Sequence, residues 1–144
     1  MGYFWEFTGL WQETNMLYAD WAKRHGLSLT ELLVALSLVE QPQGCRQRDI
    51  CSRWALPKQT VNSVLKHWQL QNWVSFAQEP GDRRVRRVTL TPQGLAYAGE
   101  IARQLIQTES RVWQRLGQET SQEFLDATAR YNQYFREACE DEGT

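Results

Sequence analysis

The 144 residues, 42% hydrophobic and 12% aromatic, suffice for one domain with a real core, or for one small domain with an extension. No run of about 18 apolar residues is present to cross a bilayer, and the apolar opening from Met1 to Trp11 carries Glu6 without a basic head, so it does not read as a signal peptide. The formal net charge is only −1, yet Cys45 to Leu90 holds nine basic and three acidic residues (net +6) against seven and fourteen elsewhere (net −7), so one basic face for a polyanion is indicated.

The first element is a helix. Phe4, Phe7, Trp11, Thr14, Tyr18 and Trp21 step by three and four along one stripe, widened by Leu10 and Leu17. Gly26 stops it after Lys23, Arg24 and His25, which suit a helix C-terminus. Ser28-Leu29-Thr30-Glu31 is a capping-box pattern opening a second helix that buries Leu29, Leu32, Leu33, Leu36 and Val39 and ends at Pro42 and Gly44. A short helix follows from Arg46 to Trp54, with Ile50 and Trp54 inward. After the tight turn Ala55-Leu56, Pro57 suits a first helical position. The next helix runs to about Gln71, with Val61, Val64, Leu65 and Trp68 on the buried face and Asn72 as a left-handed stop.

The period then changes to two. Val74, Phe76 and Gln78 alternate with Ser75 and Ala77; Pro80-Gly81-Asp82 is a turn; Val88 and Leu90 alternate with Arg87 and Thr89. Two short strands joined by a basic loop make a hairpin. Thr91-Pro92 begins a long helix carrying Leu95, Ala98, Ile101, Ala102, Leu105, Val112 and Leu116 and ending at Gly117. Thr120-Ser121-Gln122-Glu123 is read as a second capping box, opening a last helix with Phe124, Ala127, Thr128, Tyr131 and Phe135 on one face and a frayed acidic tail after Cys139.

A short helix, a tight turn and a second helix with a polar, basic face is the helix-turn-helix arrangement. The major groove admits one helix, whose exposed side chains must reach base edges and phosphates. Lys58, Gln59, Asn62, Ser63, Lys66 and His67 supply such groups. The hairpin loop from Glu79 to Arg87 concentrates Arg83, Arg84, Arg86 and Arg87 around Asp82, and guanidinium groups are drawn to the narrow minor groove.

Asp82-Arg83-Arg84, followed after five residues by Leu90-Thr91 and then Pro92 and Gly94, resembles the wing signature of MarR regulators. Thr60-Val61, Trp68 and Trp73-Val74 are similar to that family's recognition-helix stretch, and the element order matches along almost the whole chain. The resemblance implies a mainly α (α+β) fold: a winged helix-turn-helix domain (28–90) with N- and C-terminal dimerisation helices (1–27 and 91–144). It implies a homodimer reading a palindromic operator in double-stranded DNA. Arg84 would be the wing arginine, oriented by Asp82, with Lys58 and Thr60 at the start of the recognition helix. Pro57, Asn72, Trp54 and Trp68 depart from the family pattern. The aromatic surplus at both ends independently favours a dimer. The family's usual mode further suggests a small aromatic effector, for which Trp11, Tyr18 and Trp21 are the candidate pocket residues.

Other chemistry is thin. There is no phosphate loop, dinucleotide motif or His-Glu metal motif, so neither an enzyme nor a cofactor is expected. Cys45, Cys51 and Cys139 are an odd number without framework spacing, which fits a reduced, cytoplasmic protein and leaves thiol-based sensing as one alternative. The other is a winged helix used for protein–protein contact with its DNA face idle. The expectation is a sequence-specific DNA-binding regulator that represses transcription.

Overall fold

The computed structural model describes residues 2–143. Among the described residues, six helices and three strands follow one another as α1 Gly2–Arg24, α2 Leu29–Glu40, β1 Cys45–Arg46, α3 Gln47–Trp54, α4 Lys58–Leu70, β2 Val74–Glu79, β3 Asp82–Leu90, α5 Pro92–Leu116 and α6 Gln118–Glu142. The chain divides into two compact units, Met1–Arg103 and Gln104–Thr144, so the cut falls inside α5.

The first unit is built around one apolar cluster. Val34, Ala35 and Leu38 of α2, Ile50 of α3, Val61, Leu65 and Trp68 of α4, Val74 and Val88 of the sheet and Ala98 of α5 are all buried together. Local rules set the frame. Ser28 and Glu31 form the reciprocal capping box, their backbone-to-side-chain bonds being 3.0 and 3.1 Å, which stops α2 from fraying. Trp54 is tied to α2 through its indole N–H, which donates to Ser37 Oγ at 2.6 Å, while that hydroxyl donates to Leu33 O at 3.1 Å. Asn72 adopts φ 60°, the left-handed stop expected of it.

The sheet is antiparallel, in the order β1-β3-β2. β1 is not visible in the sequence pattern, because two residues carry no period; it exists because Cys45 and Arg46 pair with Val88 and Arg87. Gly44 makes this approach possible at φ 95°: a Cβ there would meet Thr89 Oγ1 at 2.7 Å and Val88 O at 3.0 Å.

Three further details differ from the sequence reading. Pro57 is the residue before α4, with ψ 142°, rather than its first helical residue. β3 starts at Asp82, so the basic segment is mostly strand rather than loop. α6 starts at Gln118 and continues to Glu142, so Thr120 is inside the helix and the acidic tail is helical. The cause lies in Gly117, whose φ of 83° turns the chain directly from α5 into α6, and in a stretch from Gln118 to Glu142 free of Gly and Pro.

Within the second unit, Trp113 bonds Glu109 through its indole N–H (3.2 Å) and lies 6.0 Å from Phe124. None of the residues of α6 is buried.

Candidate nucleic-acid interface

Lys58, Gln59, Thr60, Ser63, Lys66 and His67 are exposed on α4, and Asn62 is half-buried. The opposite side holds the buried Val61, Leu65 and Trp68, so the helix has one face in the core and one free for a ligand. Gln59, Ser63 and Lys66 are spaced by four and three, a single stripe, and Leu70 continues it at 86% exposure. The sequence reading missed Leu70; its signal was a leucine on the polar side of an otherwise regular helix. Ser63 donates its hydroxyl to Gln59 O at 3.0 Å, so its oxygen remains as an acceptor. Gln47 Nε2 donates to Lys58 O (3.3 Å), tying α3 to the first turn of α4 across the turn where Ala55 takes φ 53°.

The wing is shaped by a slip in its ladder. Gln78 pairs with Arg86 but Glu79 pairs with Asp82, so residues 83–85 of β3 have no partners across the hairpin and bulge. Arg83 and Arg84 ride on that bulge and are exposed. Asp82 Oδ1 accepts the backbone N–H of Arg84 at 3.0 Å. It thus fixes the main chain that presents Arg84, rather than gripping the guanidinium. Arg86 lies over the Phe76 ring at 4.8 Å, a cation–π contact that steadies it against the sheet.

The basic residues are not equivalent. Arg87 pairs with Glu79 (3.1 Å), as does Arg46 (2.5 Å). Arg53 lies over Trp54 at 4.5 Å and reaches Glu40 at 4.0 Å. Among the described residues, Lys58, Lys66, Arg83 and Arg84 have no ion-pair partner. They are open to an incoming anion, as is the exposed Arg48 of α3.

The wing signature has a physical basis here. Thr91 N–H donates to Trp73 O (2.9 Å), Thr91 Oγ1 donates to Asn72 O (2.6 Å) and accepts from Gly94 N–H (3.0 Å). One threonine therefore caps α5 and holds the end of α4 and the start of β2 against it. Trp73 stacks on Tyr97 at 4.1 Å, and both meet Trp68 edge-on.

Residues 25–85 match the MarR family. The winged helix is of the MarR type. A comparison with curated protein sequences gave no match. Solved structures agree on the fold. A MarR family regulator from Neisseria meningitidis is 21% identical, covering 95% of this chain and 98% of its own at a TM-score of 0.77. MarR from Staphylococcus aureus, in complex with salicylate and kanamycin, is 18% identical over 94% of this chain and 91% of its own, at 0.71. A MepR variant from S. aureus, bound to an oligodeoxyribonucleotide, is 15% identical over 92% and 97%, at 0.55. In this MarR-type winged helix, α3 and α4 are the helix-turn-helix pair and β2–β3 the wing.

The suggested effector residues are not equivalent either. Trp21 is buried and stacks on His25 at 3.8 Å; Tyr18 is half-buried and Trp11 exposed. None of them lines the cleft of about 400 Å³ that opens instead among Ser37, Glu40, Cys45, Asp49, Arg53 and Arg87. Burial, and then Asp49, push the Cys45 thiol above its ordinary range, against an opposing pull from Arg87. A raised pKa leaves little thiolate at neutral pH, which disfavours a sensor role. Alkylation at pH 7 should therefore modify the exposed Cys139 first and Cys45 last; mass mapping that found Cys45 modified first would restore thiol sensing.

Among the described residues, no group of three or more His, Cys, Asp or Glu is placed to hold a metal ion, and no helix is long and apolar enough to cross a membrane.

Proposed function

We propose that this protein is a homodimeric, duplex-DNA-binding transcriptional regulator, with α4 in the major groove and the 79–87 wing in the minor groove. The observation carrying this reading is the set of exposed, unpaired cations, Lys58 and Lys66 on α4 and Arg83 and Arg84 on the wing bulge, within a MarR-family winged helix. Gln59, Asn62 and Ser63 supply base-edge hydrogen-bonding groups between the two lysines. The DNA-bound MepR variant supports the same use of the fold. Residues 28–90 form the reading part in this view, and 1–27 with 91–144 form the dimerisation part.

Selection of bound duplexes from a random pool tests the proposal. A palindromic consensus is expected, with half-sites about one helical turn apart. Affinity for that site should fall steeply between about 50 and 200 mM salt, as counterions return to the phosphates. Failure to enrich any duplex would favour the protein-contact alternative. Arg84→Ala should weaken binding about tenfold or more, on the scale of about 1–3 kcal/mol for a specific arginine contact. An unchanged titration would remove the wing from the interface. Repression, relieved by a small aromatic effector at Trp11, Tyr18 and Trp21, is the regulatory arm of this reading. The salicylate-bound S. aureus MarR supports it. Release from the selected duplex on adding salicylate is expected, and unaltered binding would count against that arm.

A further inference from the structure

The wing holds a carboxylate in the middle of its cations. Glu79 ends β2 just before the hairpin turn, yet its side chain is only 15% exposed. Its Oε2, screened from water, takes Arg46 Nη2 at 2.5 Å, and its Oε1 takes Arg87 Nη2 at 3.1 Å. Arg87 uses its other amino group, Nη1, on Gly44 O at 3.1 Å. One carboxylate thus gathers β1, β2 and β3. The ladder explains how it reaches. Because residues 83–85 bulge, Arg83 and Arg84 are carried outward while Glu79 turns back toward the Arg46–Arg87 pair of adjacent strands.

We propose that Glu79 is a specificity-determining residue: it withholds Arg46 and Arg87 from phosphate and ties the wing to the start of the helix-turn-helix. The inference deepens the DNA-binding reading and rests on it for the identity of the polyanion. A phosphate can recruit Arg87 only by displacing a charge-assisted hydrogen bond already made, and Arg46 only by displacing a close ion pair with a carboxylate oxygen that is screened from water. Phosphate contacts raise affinity for every sequence alike, whereas a regulator must find its site among a large excess of others. Keeping two arginines occupied suppresses the sequence-independent part of binding. Arg83, Arg84 and the α4 side chains are left to do the reading from a wing held in place.

Glu79→Gln, nearly isosteric, is the test. Two released arginines would add up to two phosphate contacts, steepening the dependence of log affinity on log salt by up to about 1.8. Between about 200 and 50 mM salt, the variant's affinity for a random-sequence duplex should thus rise roughly tenfold more than the wild type's. Affinity for the selected site should rise less, so the specificity ratio falls. The variant should also elute later from a heparin matrix. A residue that only stabilised the wing would lower the unfolding midpoint and leave the salt slope alone, so an unchanged or shallower slope overturns the proposal.

Wild-type protein gives an answer that needs neither duplex nor variant. In nitrogen-15 spectra, the Nη protons of Arg46 and Arg87 should be resolved and slow to exchange, while those of Arg83 and Arg84 are averaged. Equal averaging at all four positions would sink the idea even if Glu79→Gln failed to fold. Wild-type protein that bound no duplex would defeat the proposed function alone, with the guanidinium spectra and the heparin elution still deciding the role of Glu79.

Discussion

Gly94→Ala is expected to cost about 3 kcal/mol of folding stability, at the upper end for overpacking. A Cβ on this residue would sit 1.8 Å from the Trp73 carbonyl oxygen and 2.7 Å from its carbonyl carbon. The obstruction is backbone, so no side-chain rotation can relieve it. Making room means lifting the first turn of α5 away from the α4–β2 junction. That movement would break the Thr91 N–H to Trp73 O bond (2.9 Å) and the Thr91 Oγ1 to Asn72 O bond (2.6 Å), and would part the Trp73–Tyr97 stack. The glycine of the wing signature is therefore a packing requirement. Gly99→Ala is the control. It sits in the same helix with Leu95 Cδ1 at an ordinary 3.7 Å, and alanine is favoured over glycine mid-helix by about 1 kcal/mol. Urea unfolding of the two variants side by side should show opposite shifts of midpoint. Equal midpoints would mean that the close approach at Gly94 does not exist in solution.

What could be read from the sequence follows the range of the forces involved. Ser28 with Glu31, Asn72 at the end of α4, and the alternation from Val74 onward are short-range signals, and each corresponds to an element in the structure. The MarR-type fold was legible for that reason. Signals failed where the decisive partner was distant or the element too brief. β1 exists only through Val88 and Arg87, more than forty positions away. The run from Arg83 to Arg87 looked like one cationic tip, but strand alternation and the bulge divide it: Arg83 and Arg84 face water while Arg87 turns onto Glu79. No local rule pairs Arg46 with a residue in the wing. Ala55 at φ 53° shows the same limit, since the tight turn was evident but nothing in an alanine announces a left-handed backbone. The stripe of α1 joined Trp11, Tyr18 and Trp21 correctly as neighbours on one face. Periodicity says nothing about what covers each of them, and only Trp21 is buried.

The exposed aromatic residues lead to the second large effect. α6 spans 25 residues without burying one, and Phe124, Tyr134 and Phe135 are each more than half exposed. An amphipathic helix of this kind draws its stability from a packed partner rather than from propensity. α1 has the same character, with Phe4, Trp5 and Trp11 exposed near its start. In the proposed homodimer a second copy of the chain would supply the missing partner with twofold closure. Replacing both Phe124 and Phe135 by Glu would remove four rings from the proposed symmetric interface. At about 1.5 kcal/mol each, the low end for a buried phenyl group, the loss is about 6 kcal/mol, or roughly ten-thousandfold in dimer dissociation constant. The variant should sediment as a monomer at micromolar concentration, where the wild type sediments as a dimer, and should lose far-UV helical signal. Its binding to a palindromic site should fall to that of a half-site, because two reading heads no longer act together. The core around Trp68 does not depend on these rings, so the tryptophan-monitored unfolding of the winged helix should persist. A wild-type chain that proved monomeric with α6 fully helical would contradict this account of what the exposed rings are for.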